Sequence, residues 1–153
     1  MKAIRFIGML FAAAALSFTA ISCDKDEDID DLIDNIENGD IKPTVDLKKS
    51  SSELVLTTKF PGVYTIVETA KFSNDMCVSY VMKMTYATDK LADAAWEELK
   101  SEDDFDSNTI KRSGKTITVD LTEEMEEMTY DYMLQMFQAR KDAVERGEDA
   151  FAF

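Results

Sequence analysis

Residues 77–86 constrain the fold more tightly than any other stretch of this chain. Val78, Tyr80, Met82, Met84 and Tyr86 recur at every second position, and Cys77, Ser79, Lys83 and Thr85 fall between them. Successive side chains of a strand point to opposite faces, so this period of two predicts one row on a core and a mostly polar row in water. A strand of that kind belongs in an antiparallel sheet with one covered face. Two more candidate strands lead into it. Residues 53–60 are rich in Leu, Val and Thr, and residues 63–72 read as the returning strand. Pro61-Gly62 between them is a tight-turn signal, because proline pre-sets φ and glycine accepts positive φ. Ser73-Asn74-Asp75 turns the chain again. The three segments predict a meander.

The period then changes from strand to helix. Thr88 or Asp89 can cap a helix running to about Ser101, with Leu91, Ala95, Trp96 and Leu99 available to face the sheet. The acidic stretch 102–107 reads as a solvated break. Residues 108–112 and 115–121 read as a second hairpin across Ser113-Gly114. Thr122 is then expected to cap a helix of about 24 residues, roughly 36 Å long. Glu123 and Glu124 lie in its first turn, Arg140, Lys141 and Arg146 near its end, and Gly147 is its stop. Met125, Met128, Tyr132 and Met136 make one helical stripe suited to lie on a sheet. Tyr130, Met133 and Phe137 widen the apolar sector and stand as a candidate exposed partner patch. The expected order is β-β-β-α-β-β-α over residues 51–153. That is an α+β domain, an antiparallel sheet of about five strands with two helices packed on one face.

The N-terminus carries a different message. Met1-Lys2-Ala3-Ile4-Arg5 is basic, an apolar run occupies residues 6–21, and small or polar residues lead into Ser22-Cys23. A basic start, an apolar centre and a small-residue exit are the layout of a secretion signal. The apolar run is about 16 residues, short of the roughly 20 that span a bilayer as a helix. Ala20-Ile21-Ser22-Cys23 resembles the lipobox of bacterial lipoproteins, with Ala20 where that family most often has leucine. The resemblance covers the first 23 residues. It implies cleavage before Cys23, a diacylglycerol on its thiol and, usually, acylation of the new amine. More than one acyl chain on one residue gives a stable anchor. Asp24-Lys25-Asp26-Glu27-Asp28 is similar to the export signal of surface-exposed lipoproteins in some Gram-negative gut bacteria. It would serve equally as a solvated tether.

Removing a 22-residue signal from the 153 residues leaves 131, enough for one domain. The signal holds Lys2 and Arg5 and no acid, so its loss takes the net charge from −14 to −16. Ten acids and two lysines lie between Asp24 and Asp46, which makes residues 23–50 read as a lipidated acidic tether. This charge repels nucleic acid and anionic headgroups. Within the tether, Ile29, Leu32, Ile33 and Ile36 form a short apolar helical stripe closed by Asn38-Gly39. It is too short to hold alone, and either flickers or docks. With Cys23 carrying lipid, Cys77 has no partner for an intrachain disulfide and is expected to be buried and inert.

The catalytic inventory is thin. The chain contains no His, which excludes His-based triads, proton shuttles and imidazole zinc sites. Its five glycines are scattered, and no phosphate-cradling loop is present. Ser50-Ser51-Ser52 beside Lys48 and Lys49 lacks a framework for a Ser-Lys pair and reads as linker. Paired carboxylates are so abundant that no pair is informative. Asp26, Asp28, Asp30, Asp34 and Glu37 match positions 1, 3, 5, 9 and 12 of a calcium loop. Asp31 replaces the glycine that such a loop needs for its turn, and the same acids are explained by the polar side of the apolar stripe. The expectation is therefore no catalytic residue, no metal and no cofactor. The chain reads as a small outer-membrane lipoprotein anchored through Cys23, facing the cell surface, and acting as a non-enzymatic binding or accessory module for a protein or glycan. The alternatives are a periplasm-facing scaffold of an outer-membrane complex and a carboxylate-based hydrolase.

Overall fold

The computed structural model describes residues 42–101 and 109–146. The segment read as a secretion signal, Cys23, the acids matched to a calcium loop, the Ile29/Leu32/Ile33/Ile36 stripe, the stretch 102–107 read as a break and the stop expected at Gly147 lie outside the described residues.

The order of elements is β1 (Thr44–Lys49), β2 (Glu53–Phe60), β3 (Tyr64–Ser73), β4 (Met76–Tyr86), α1 (Asp89–Ser101), β5 (Ile110–Ser113), β6 (Thr116–Asp120), α2 (Thr122–Met125) and α3 (Tyr130–Glu145). The six strands form one antiparallel sheet in the order β1-β2-β3-β4-β6-β5. The α+β class and the antiparallel sheet are as the sequence predicts. Among the described residues the strands are six rather than about five, and the helices three rather than two.

The extra strand is β1, which falls inside the segment read as tether. Val45 and Leu47 are the apolar residues of this strand, and each points to the core side opposite Thr58 and Leu56. Charged residues around them hide the alternation. This composition suits an edge strand, where lysines discourage pairing with other chains. The sheet therefore begins at Thr44, several residues before the expected boundary at residue 50.

Cross-strand register shows one buried face. Leu54 sits opposite Ala70, Leu56 opposite Glu68 and Thr58 opposite Ile66. Ile66, Glu68 and Ala70 pair in turn with Met84, Met82 and Tyr80, and Met82 and Met84 with Val119 and Ile117. All of these residues are buried, and the apolar ones share a single core with Leu91, Ala92, Ala95 and Leu99 of α1 and Met133 and Phe137 of α3. The helices thus cover one face.

Two local features depart from the sequence reading. The first is a bulge in β4. Lys71 pairs with Ser79 but Phe72 pairs with Cys77, so Val78 is an extra residue without a partner on β3. An inserted residue reverses the parity of the strand beyond it. Cys77 is therefore buried, and Val78, expected on the core face beside Tyr80, is 53% exposed. The second is a break in the long helix. The Cys77 N–H donates to the Met128 carbonyl and the Tyr130 N–H to the Asp75 carbonyl, both at 2.9 Å, around a bridge between Met76 and Thr129. Backbone that completes the margin of β4 cannot also make helical bonds. Thr129 is accordingly extended (φ −82°, ψ 159°), and its side chain accepts from the Tyr132 N–H, capping a fresh helix of 16 residues. The helix expected from Thr122 is therefore two helices. α1 is capped as expected, by the Thr88 hydroxyl accepting from the Leu91 N–H at 3.2 Å.

Candidate functional site

Restarting the helix at Tyr130 sets which of its faces meets the sheet. Met133, Phe137, Arg140, Ala143 and Val144 are its buried residues. Met133 and Phe137, read from the sequence as part of an exposed partner patch, are 0% exposed and belong to the core. Tyr130 is half-buried: its ring packs on Phe72 at 5.0 Å and its hydroxyl donates to the Ser50 carbonyl at 2.8 Å. The candidate patch is thus an interior surface. Of the stripe expected to lie on the sheet, Met125 is buried, Met128 and Met136 are partly buried, and Tyr132 is exposed.

The same phase carries a charge inward. Arg140 follows Phe137 by three residues and meets Glu68, which alternates with Ile66 and Ala70 on the core side of β3. Nη1 donates to Oε1 at 2.8 Å and Nη2 donates to Oε2, a forked pairing of guanidinium with carboxylate. The Tyr80 hydroxyl donates to Glu68 Oε1. Glu68 and Tyr80 are 0% exposed and Arg140 is 3% exposed. Phe137 seals the cluster, with the Arg140 Cζ 5.7 Å from its ring centroid and the Tyr80 ring 6.4 Å away.

The electrostatics fix the protonation states. Burial, reinforced by the Glu68 charge, holds the Tyr80 hydroxyl well above the ordinary tyrosine value. Burial works against the Arg140 cation, but the Glu68 charge and its hydrogen bonds outweigh it and raise Arg140 further. Tyrosine stays a neutral donor and arginine a fixed cation. Without solvent access this cluster cannot meet a substrate. Its effect is mechanical: it pins α3 across β3 and β4 near the centre of the sheet. Sequence reasoning passed over it, although each residue left a trace. Glu68 is an acid at a core-parity position of a strand, and Arg140 is a base in register with Met133 and Phe137.

Cys77 is buried, and desolvation raises its thiol while its hydrogen bond to the Ser79 carbonyl lowers it less. The thiolate is scarce at neutral pH, as suits an inert interior cysteine. Among the described residues no group of three or more Asp, Glu or Cys side chains is arranged to hold a metal ion, and no helix is long and apolar enough to cross a membrane.

Among the described residues, no helix covers the other face of the sheet. Register places its residues in rows running across the strands. One row reads Thr44, Lys59, Thr65, Thr85, Thr116 and Ser113. The next reads Asp46, Thr57, Val67, Lys83, Thr118 and Lys111, and a third Lys48, Val55, Thr69, Val81 and Asp120. Each residue of these rows is exposed or half-buried, and none is aromatic. The Thr85 and Thr116 hydroxyls lie 3.1 Å apart. Comparison with protein-family models, with characterised proteins and with solved structures yields no match to this chain.

Proposed function

We propose that this protein is a lipid-anchored lipoprotein of the bacterial outer membrane, displaying its α+β domain at the cell surface as a non-enzymatic binding or accessory module. The N-terminal layout ending in Ala20-Ile21-Ser22-Cys23 supports the anchor, and the acidic residues after it support display. The observation that carries the binding role is the division of the sheet. One face is filled by core and by the sealed Glu68–Arg140–Tyr80 cluster, while among the described residues no helix covers the other across its six strands. Buried ionisable groups are the first candidates for chemistry, and in this domain that cluster serves to hold a helix. A rigid open sheet on an anchored chain is suited to contact rather than turnover.

The test is fractionation together with protease shaving. The chain should enter the membrane fraction as a processed, acylated form, and Cys23→Ala should leave it unprocessed or released. Externally added protease should digest the domain on whole cells. Digestion only after the outer membrane is permeabilised would replace display by the periplasm-facing scaffold. An unchanged, membrane-bound and processed Cys23→Ala protein would overturn the anchor itself.

A further inference from the structure

The open face differs in charge from the rest of the chain. The protein carries −14 in total, yet the described residues hold 14 Lys/Arg and 16 Asp/Glu, a net of only −2. On the open face the balance reverses. Lys48, Lys59, Lys71, Lys83 and Lys111 point to this side, against Asp46, Glu53 and Asp120. Asp120 Oδ1 accepts from the Thr122 N–H and hydroxyl, and Glu53 stands opposite Lys71 across the β2–β3 pair. Among the described residues, no ion pair engages Lys59, Lys83 or Lys111.

We propose that this face docks an acidic polysaccharide from outside the cell, a chain of the polyuronate type in which carboxylates alternate with hydroxyls. The inference rests on the reading of the domain as a displayed binding module and names its partner. The arrangement of side chains is the complement of such a chain. Lys83 and Lys111 flank Thr118 two strands apart, roughly 10 Å. The adjoining row supplies the hydroxyls of Thr44, Thr65, Thr85, Thr116 and Ser113 with the ammonium of Lys59. Each hydroxyl both donates and accepts, as sugar hydroxyls require. The face offers no aromatic ring for a neutral sugar to stack on, so recognition has to come from charge and hydrogen bonds. The hydrogen-bonding groups of a sheet lie in its plane, so an acidic peptide lying on this face gains no backbone pairing there, and edge pairing is the usual source of affinity for an extended peptide on a sheet.

The experiment uses the full chain purified in detergent, with polygalacturonate, dextran and polyglutamate immobilised in parallel. The parent should be retained by polygalacturonate, less as salt rises because exposed charges are screened, and not by dextran. K59Q/K83Q/K111Q should bind polygalacturonate about tenfold more weakly or worse, as three exposed charge pairs allow, with an unchanged melting temperature. T65V/T116V, which keeps shape and charge and removes two hydroxyls, should weaken polygalacturonate binding several-fold. Should the triple variant fail to fold, K83Q alone and the salt dependence of the parent carry the same test. No retention of the parent, equal retention by polyglutamate, or a well-folded triple variant that binds like the parent would each overturn the proposal. Retention only by polysaccharide extracted from the cell's own envelope would overturn the external source. The assay does not depend on where the chain resides, so its failure leaves surface display standing, and a failure of display leaves this binding result standing.

Discussion

Replacing Arg140 by Met tests what holds α3 to the sheet. The substitution keeps the aliphatic stem and removes the two donors that face Glu68. Glu68 is 0% exposed, so its charge is left in the interior with the Tyr80 hydroxyl as its remaining partner in the cluster. Breaking a buried pair in this way costs about 3–5 kcal/mol. Domains of this size have about 5–15 kcal/mol in all. The loss should lower the melting temperature by more than about 12 °C, taking 4–8 °C per kcal/mol for about 100 residues. Urea titration followed by circular dichroism at pH 7 reads it as a lower midpoint with the slope retained. Removing the whole cluster as Glu68→Leu/Tyr80→Phe/Arg140→Met leaves no unpaired polar group and should restore most of the stability, since apolar replacements of buried pairs are commonly neutral or better. An Arg140→Met loss below about 1 kcal/mol, or a triple variant no better than the single one, would refute the clamp.

Three further outcomes follow from the fold. Val78→Asp should cost no more than about 0.5 kcal/mol because the bulge turns this residue outward, whereas Tyr80→Asp should unfold the domain or sharply lower its melting point; equal effects would remove the bulge. A chain starting at Lys48 should lose about 2–4 kcal/mol relative to one starting at Lys42, by deleting most of β1 and the burial of Val45 and Leu47, and equal denaturation midpoints would place the edge of the domain at β2. Because Tyr80 is held protonated in the folded state and titrates near 10.0 when unfolded, the native state binds the extra proton above that pH. Its contribution is complete below pH 10.0 and declines above it, so the alkaline fall in stability should be shallower in Tyr80→Phe, and identical pH profiles would contradict this sign.

The sheet was legible where its signals are local. Alternation in 53–60, 63–72 and 77–86, with turn residues between them, places β2, β3 and β4 to within a residue or so of their observed ends. Gly114, with φ +55°, sits in the hairpin turn expected there. The failures came from non-local competition. β1 has too few apolar residues to show a period, and it becomes a strand because Leu54, Leu56 and Thr58 lie beside it. The long-helix reading followed the run of apolar and acidic residues after Thr122, but hydrogen bonds to Asp75 and Cys77, about fifty residues upstream, pull Met128 and Thr129 out of the helix. That break moved Met133 and Phe137 from a supposed surface patch into the core. The buried cluster was hidden for the same reason. Glu68 and Arg140 look like ordinary surface charges until strand parity and helix phase are both known. The open face was half visible, since Ser79, Lys83 and Thr85 mark its side of β4, but its rows exist only once six strands are in register.

Surface display of the open face is the central claim, and one labelling experiment addresses it directly. Thr118 lies on that face one strand in from the β5 edge, flanked by Lys83 and Lys111, so Thr118→Cys places a thiol among them. The native thiols should stay silent: Cys77 is buried with its thiol raised by desolvation, and Cys23 is modified on the proposed reading. A membrane-impermeant maleimide applied to intact cells should label Thr118→Cys and leave the parent unlabelled. Labelling of Thr118→Cys only after the outer membrane has been permeabilised would contradict the account.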